Sequence, residues 1–229
     1  MRYKTCTEYW LDPERRAFRG EFEAMYRDID DPWGCQAGAC SKNNRRFADL
    51  LFADRRYARV LDLGCGLGAF TVYLRERNGG GAFIGCDVSA TAVCKASAAC
   101  PEITFYCRDV LRESLDGLGR FDLVILSEIL WYILADLPGV FAGVARILAP
   151  GGVVGVHQYF PTEQRFGRDV VDGLDGFLAF VRRATPFVVT RKDVVAVPDG
   201  AVLLAICGRE ADAVQGGAPD GEGRSCRCP

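Results

Sequence analysis

Histidine is almost missing from these 229 residues: there is one, His157, and the eleven cysteines never fall into the spacing of a zinc site. No metal centre is expected. No run approaches the roughly 20 apolar residues that a membrane-spanning helix requires. The opening Met1-Arg2-Tyr3-Lys4-Thr5-Cys6-Thr7-Glu8 also lacks the apolar stretch of a signal peptide. Excess charge is absent too. With 28 basic and 30 acidic residues the formal net charge is -2, which gives no general attraction to nucleic acid or anionic lipid. These absences predict a soluble, cytoplasmic protein that binds neither nucleic acid nor membrane. Without a secretion signal, and with an odd cysteine count, a disulfide framework is not expected. Cys65, Cys86, Cys94, Cys107 and Cys207 read as reduced thiols packed as small hydrophobes. Internal repeats are absent, and Cys226-x-Cys228 receives no function.

What is present is a hydrophobic content of 49%, enough for one substantial core. Residues 1–209 are expected to form a single domain, with 1–56 a helical cover and 57–209 the core. Residues 210–229, rich in Gly, Pro, Asp and Ser, cannot repay the entropy of ordering and are expected to be a disordered tail. Short β-branched runs alternate with amphipathic stretches, the pattern of βαβ units and a mainly parallel sheet. Strands are expected at Ala58–Leu63, Ala82–Cys86, Ile103–Cys107, Phe121–Leu126 and Val153–His157. Helices are expected over Ala69–Arg77, from Ser89 to about Ala99, and over Leu137–Leu148, the last stopped by Pro150-Gly151-Gly152. Phe187–Val197 and Ala201–Cys207, joined by Pro198-Asp199-Gly200, form a hairpin, so the sheet ends with a reversed strand. In the cover, Asp31-Pro32-Trp33-Gly34 interrupts the helices, and Ser41 caps one that runs to about Phe52.

The strongest chemical signal is Val60-Leu61-Asp62-Leu63-Gly64-Cys65-Gly66-Leu67-Gly68, an acid at a strand end followed by glycines at alternating positions. Side chains at such a bend would block a ligand and resist its backbone angles. Alone the loop is weak evidence, because Gly64-x-Gly66-x-x-Ala69 also fits the loose dinucleotide fingerprint. Asp87 ends the next strand, where a carboxylate can accept both ribose hydroxyls of an adenosine, whether in a nicotinamide or another cofactor. Asp109 follows the third strand. Each acid, taken singly, also fits a turn or helix-capping role, and Asp62 equally fits a role in satisfying turn amides.

As a set, these features resemble the class I S-adenosylmethionine-dependent methyltransferases, over about residues 45 to 208. The resemblance implies an α/β, Rossmann-like, doubly wound, mainly parallel seven-stranded sheet with an antiparallel C-terminal hairpin and an N-terminal helical cover. It implies S-adenosyl-L-methionine as cofactor, Asp62 toward its amino group, and Asp109 with the Val110 amide on the adenine. Gly64, Cys65, Gly66, Gly68, Val88 and Ser127 complete the implied cofactor set. After the fourth strand, Ser127-Glu128-Ile129-Leu130-Trp131-Tyr132 is implied to line the methyl-transfer cavity. Glu128 there is open to holding cofactor, orienting an acceptor amine, acting as a base, or merely capping.

His157, at the fifth strand's end, is the first choice for a base, since an ordinary imidazole titrates near neutrality. A structural histidine is the alternative. Trp10, Trp33 and Trp131 fall in segments expected to cover or line the acceptor pocket, or simply to pack there. Trp33, Trp131, Tyr132 and Tyr159 are the candidate acceptor contacts. Asp31-Pro32-Trp33-Gly34 with Ser127–Tyr132 and His157 is similar to bacterial small-molecule methyltransferases of the nodulation N-methyltransferase type, a group that methylates amino sugars. The chain departs from that group at Gln158-Tyr159-Phe160-Pro161-Thr162-Glu163-Gln164. The implied reaction is N- or O-methylation of a small-molecule acceptor by in-line attack. Two other readings fit parts of the pattern: an NAD(P)-dependent oxidoreductase, and a non-catalytic S-adenosylmethionine-binding module.

Overall fold

A computed structural model describes residues 3–15, 17–34 and 41–209. The expectation of a disordered tail at 210–229 lies outside the described residues, as do Cys226 and Cys228.

Two layers of helices sandwich a seven-stranded sheet, because each strand alternates its apolar side chains between two faces. In chain order the elements are α1 (Thr7–Trp10), β1 (Leu11–Asp12), β2 (Ala17–Phe18), α2 (Phe22–Asp28) and α3 (Lys42–Leu51), then β3 (Arg59–Leu63), α4 (Ala69–Asn78), β4 (Ala82–Asp87), α5 (Ala90–Ala99) and β5 (Thr104–Cys107). There follow β6 (Phe121–Ser127), α6 (Leu137–Ile147), β7 (Leu148–Pro161), α7 (Gly173–Ala184), β8 (Phe187–Val197) and β9 (Gly200–Arg209). The spatial order is β5-β4-β3-β6-β7-β9-β8. From β5 to β7 the neighbours are parallel, and β9 runs antiparallel to both β7 and β8. The reversed strand is thus one place in from the edge, and β8 runs with the rest.

On β6, Leu123 and Ile125 pack toward Phe47, Leu51 and Leu74 of α3 and α4. Val124 and Leu126 pack toward Val144, Phe177 and Val181 of α6 and α7. This strict alternation fixes the register, since a slip of one residue would exchange the two faces. Asp62, between Leu61 and Leu63, is the position at which the alternation carries an acid instead of an apolar group.

Three expectations are corrected. Residues 1–56 are not helical throughout: β1 and β2 pair antiparallel, Leu11 opposite Phe18. The Asp12 carboxylate accepts the amides of Glu14 and Arg15, which turns the chain there. Pro150-Gly151-Gly152 does not separate a helix from a strand but sits within β7, where Leu148 pairs with Phe121 and Val153 with Leu123, a shift of register at the glycines. Helix α3 lies on a face of the sheet against β9, β7 and α4, and leaves α1, β1, β2 and α2 as the cover near the strands' carboxyl ends. Ser41 and Ser89 cap their helices as expected, accepting from the amides of Asn44 and Ala92. Helix α7, with Phe177 and Val181 four residues apart and buried, is an element beyond those expected.

Candidate functional site

At the carboxyl ends of β3 to β7 lies a cavity of about 1030 Å³, roofed by residues of the N-terminal cover. Its floor begins at the glycine bend. The amides of Gly64 and Cys65 both donate to the Cys86 carbonyl, at 2.8 and 3.0 Å, and fasten the bend to β4. Gly64 has φ of 74°, and a Cβ there would lie 2.1 Å from the Ile129 side chain, so this turn admits no other residue without movement. Gly66, also at positive φ, donates its amide to Asp87 Oδ2 at 2.9 Å.

Asp62, Asp87 and Asp109 come from three successive strands and line this one cavity. Asp62 is buried and accepts the Thr71 hydroxyl at 2.6 Å; burial, helped by the charge of Asp87, pushes its carboxyl up to about 7. Asp87 takes the Gly66 amide on one oxygen and the Ser89 amide, at 2.9 Å, on the other. Burial raises it while those amides oppose the rise. Each oxygen keeps a lone pair for a further donor. Asp109 accepts the Leu111 amide at 3.0 Å and has Arg112 Nε at 3.4 Å. Val88, Val110 and Cys65 also line the cavity, whereas Gly68 does not: it is the N-cap of α4, with Phe105 against it.

The other end of the cavity is built by β6 and β7. Glu128 has φ of 57°, the only positive value outside glycine among the described residues. Its amide donates to the His157 carbonyl at 2.8 Å. Its Oε2 accepts from Gln158 Nε2 at 3.1 Å and the Tyr159 amide at 3.2 Å, while Oε1 stands 3.5 Å from His157 Nε2. Burial raises this carboxyl to about 7 against the pull of the Tyr159 amide. Its side chain lines the cavity and keeps 44% exposure, so the rise is fullest once a bound acceptor covers it.

His157 is 3% exposed and packs against Phe47 and Phe70. Burial lowers its imidazole to about 4. Ser127 Oγ lies 3.0 Å from Nδ1. An ionised Glu128 favours the tautomer protonated on Nε2, in which Nδ1 accepts from Ser127 and no ring lone pair is left over.

Tyr132, Trp33 and Tyr159 line the cavity. The Tyr132 ring is surrounded by Trp10, Phe18, Phe22 and Trp33 at centroid distances of 5.0 to 6.3 Å. The expectation for Trp131 is corrected: it is not among the lining residues. The tight turn at Leu130–Tyr132 sends consecutive side chains to different sides, so Tyr132 enters the cavity while Trp131 packs on Phe160 and Phe166 and donates its Nε1 to the Tyr159 carbonyl at 3.0 Å.

Sequence reasoning missed Glu23, Tyr26 and Gln158. Glu23 on α2 accepts from Ser89 Oγ, Thr91 Oγ1 and the Thr91 amide, at 2.6 to 3.1 Å. Partial burial pushes its carboxyl up, but these bonds with Arg27 outweigh that and hold it at about 2. The cover is thereby tied to the residue whose amide holds Asp87. Tyr26 accepts from Trp33 Nε1 at 3.0 Å and overhangs Gly66. Glu23 lies 66 residues from Ser89, a distance at which no local motif signals the contact.

Comparison with known proteins gives the same outline. Residues 60–152 match the family model described as a methyltransferase domain. The chain is 38% identical over 96 residues to an uncharacterized methyltransferase of Synechocystis, 42% of this chain and 44% of that protein. It is 37% identical over 112 residues to trans-aconitate 2-methyltransferase of Deinococcus radiodurans, 48% of this chain and 42% of that one. The chain thus spans less than half the length of these curated relatives. Among solved structures, N-methyltransferase NodS of Bradyrhizobium japonicum WM9, in complex with S-adenosyl-L-homocysteine, superposes with a TM-score of 0.66 over 83% of this chain and 96% of that one, at 20% identity. That likeness is one of fold.

Proposed function

We propose that this chain, whose residues 60–152 are a methyltransferase domain within a class I methyltransferase fold, transfers the methyl group of S-adenosyl-L-methionine to nitrogen or oxygen of a small-molecule acceptor. One observation carries the reading: Asp62, Asp87 and Asp109, each from a different strand end, line one cavity together with a bend of glycines. These residues fit the cofactor. The spare lone pairs of Asp87 suit a ribose diol, Asp109 and the Val110 amide suit the donor and acceptor edge of adenine, and buried Asp62 suits the cofactor's ammonium. Cys65, Val88 and Ser127 line the same space. Asp109, the third acid, favours this reading over a nicotinamide oxidoreductase.

When bound, the cofactor supplies an electrophilic methyl carbon on a sulfonium. The protein's part is to align the acceptor with it and to exclude water. Glu128 is the proton acceptor: it lines the cavity, its Oε1 is left by the two donors that hold Oε2, and a carboxyl raised toward neutrality is a better base than an ordinary one. His157, neutral, bonded to Ser127 through Nδ1 and 3.5 Å from Glu128 Oε1 through Nε2, borders Glu128 instead of acting as the base. The aromatic group around Tyr132 gives the acceptor's neighbourhood apolar walls. A small-molecule acceptor is supported by the roofed cavity.

Calorimetry tests the cofactor: S-adenosylhomocysteine is expected to bind at micromolar levels, and NAD not measurably. NAD binding without S-adenosylhomocysteine binding would reverse the assignment. Labelled S-adenosylmethionine offered with panels of sugars, amines and phenols then identifies the acceptor, and transfer to any of them rejects the reading of a non-catalytic binding module.

A further inference from the structure

Glu128 is the one non-glycine residue in the described chain held in the left-handed region, and something must offset the strain that such a backbone carries. The neighbouring strand provides it. Gln158 is 1% exposed, and its carboxamide is used at both ends. Its Oε1 accepts the Leu130 amide at 2.9 Å, and its Nε2 donates to Glu128 Oε2 at 3.1 Å and to the Tyr159 carbonyl at 3.2 Å. With the Tyr159 amide also on Oε2, two donors converge on one carboxylate oxygen. Oε1 receives no hydrogen bond in the structure beyond its approach to His157.

From this asymmetry we propose that Gln158 is a positioning residue that clamps Glu128 through Oε2, so that Oε1 alone is presented to the acceptor. The proposal rests on the methyl-transfer reading and gives one side chain a defined task within it. As the acceptor's N or O forms its bond to the methyl carbon, its bond to hydrogen breaks, the electron pair stays on N or O, and the proton passes to Oε1. The sulfonium sulfur keeps the pair of the broken S–C bond, and Glu128 ends neutral. A carboxylate free to rotate would offer either oxygen and lose alignment. Gln158 also bonds the turn that carries Tyr132, so one amide fixes the base and one wall of the cavity together.

The groups facing Glu128 are His157 and Tyr159 from β7 and Tyr132 from the turn after β6. Among the described residues, the hydrogen bonds to Oε2 come from Gln158 Nε2 and the Tyr159 amide. Gln158→Glu keeps an acceptor for the Leu130 amide but sets a second carboxylate against Oε2. Expected are S-adenosylhomocysteine affinity within about twofold of wild type, kcat lowered roughly tenfold or more at pH 7 with KM changed less, and the acid limb of the pH profile moved up by about one unit. Gln158→Met, of similar volume and without a donor, is the second variant. In it the Glu128 carboxyl 13C signal, titrated without turnover, is expected to shift its midpoint upward. Superimposable pH profiles for Gln158→Glu and wild type, or an unmoved Glu128 midpoint in Gln158→Met, would overturn the clamp. Full turnover in Glu128→Gln would instead remove Glu128 as the base, and failure to bind S-adenosylhomocysteine would remove the methyl-transfer reading itself.

Discussion

The two ends of the cavity are built differently. At the cofactor end, Asp62, Gly66 and Asp87 are held by partners near them in sequence or on an adjacent parallel strand: Thr71 for Asp62, the Gly66 and Ser89 amides for Asp87. At the acceptor end, Glu128, His157, Gln158 and Tyr159 lean on one another across β6 and β7, under a roof of rings from residues 10 to 33. The first end is made of short turns and the amides of an adjacent strand's bend. Contacts about 30 residues apart in sequence assemble the second. Damage to the two ends should therefore separate into lost binding and lost turnover.

The largest effect is expected for Glu128→Gln, with turnover falling roughly a hundredfold to ten-thousandfold while S-adenosylhomocysteine affinity in calorimetry stays within about twofold. Equal loss of both would erase the division. Asp87→Ala should do the reverse. It leaves two amides without an acceptor and removes the diol's partner, so cofactor affinity is expected to fall at least about a hundredfold. In wild type, kcat should climb between about pH 6 and 8 as Glu128, raised to about 7, loses its proton; a flat profile with rate-limiting chemistry would contradict the role given to it.

Smaller effects concern stability. His157 is lowered to about 4 in the fold, so the unfolded chain binds the extra proton between about 4 and 6.5. Stability contributed by the neutral imidazole is present above pH 6.5 and is lost as pH falls toward 4, with a slope approaching about 1.4 kcal/mol per pH unit. Chemical denaturation of His157→Gln should lose that slope. Glu23, held at about 2, contributes stability above its ordinary 4.5 that fades as pH falls through 2. Since its side chain is 41% exposed, solvent screens the gain, and Glu23→Gln should lower Tm by only a few degrees while loosening the cover.

The same division explains what could be read in advance. The β3 bend, Asp87, Asp109 and the Ser41 and Ser89 caps are written in short windows: the two serines accept the amides expected of them, and the bend and the two acids line one cavity. By contrast, the β1–β2 pair depends on an Asp12 side-chain turn inside a segment of helical texture, and β7 absorbs Pro150-Gly151-Gly152 as an irregularity because β6 lies alongside to hold it. Trp131 and Tyr132 are adjacent and chemically alike, so only the path of the turn decides which of them faces the cavity. Gln158 marks a departure in the sequence, but only the fold sets its amide beside Glu128.

A crystal structure with S-adenosylhomocysteine bound tests the central claim most directly. The account predicts ribose hydroxyls on Asp87, adenine beside Asp109 and Val110, and the sulfur directed toward the space before Glu128 Oε1. A cofactor seated elsewhere, or with its sulfur facing away from Glu128, would contradict it.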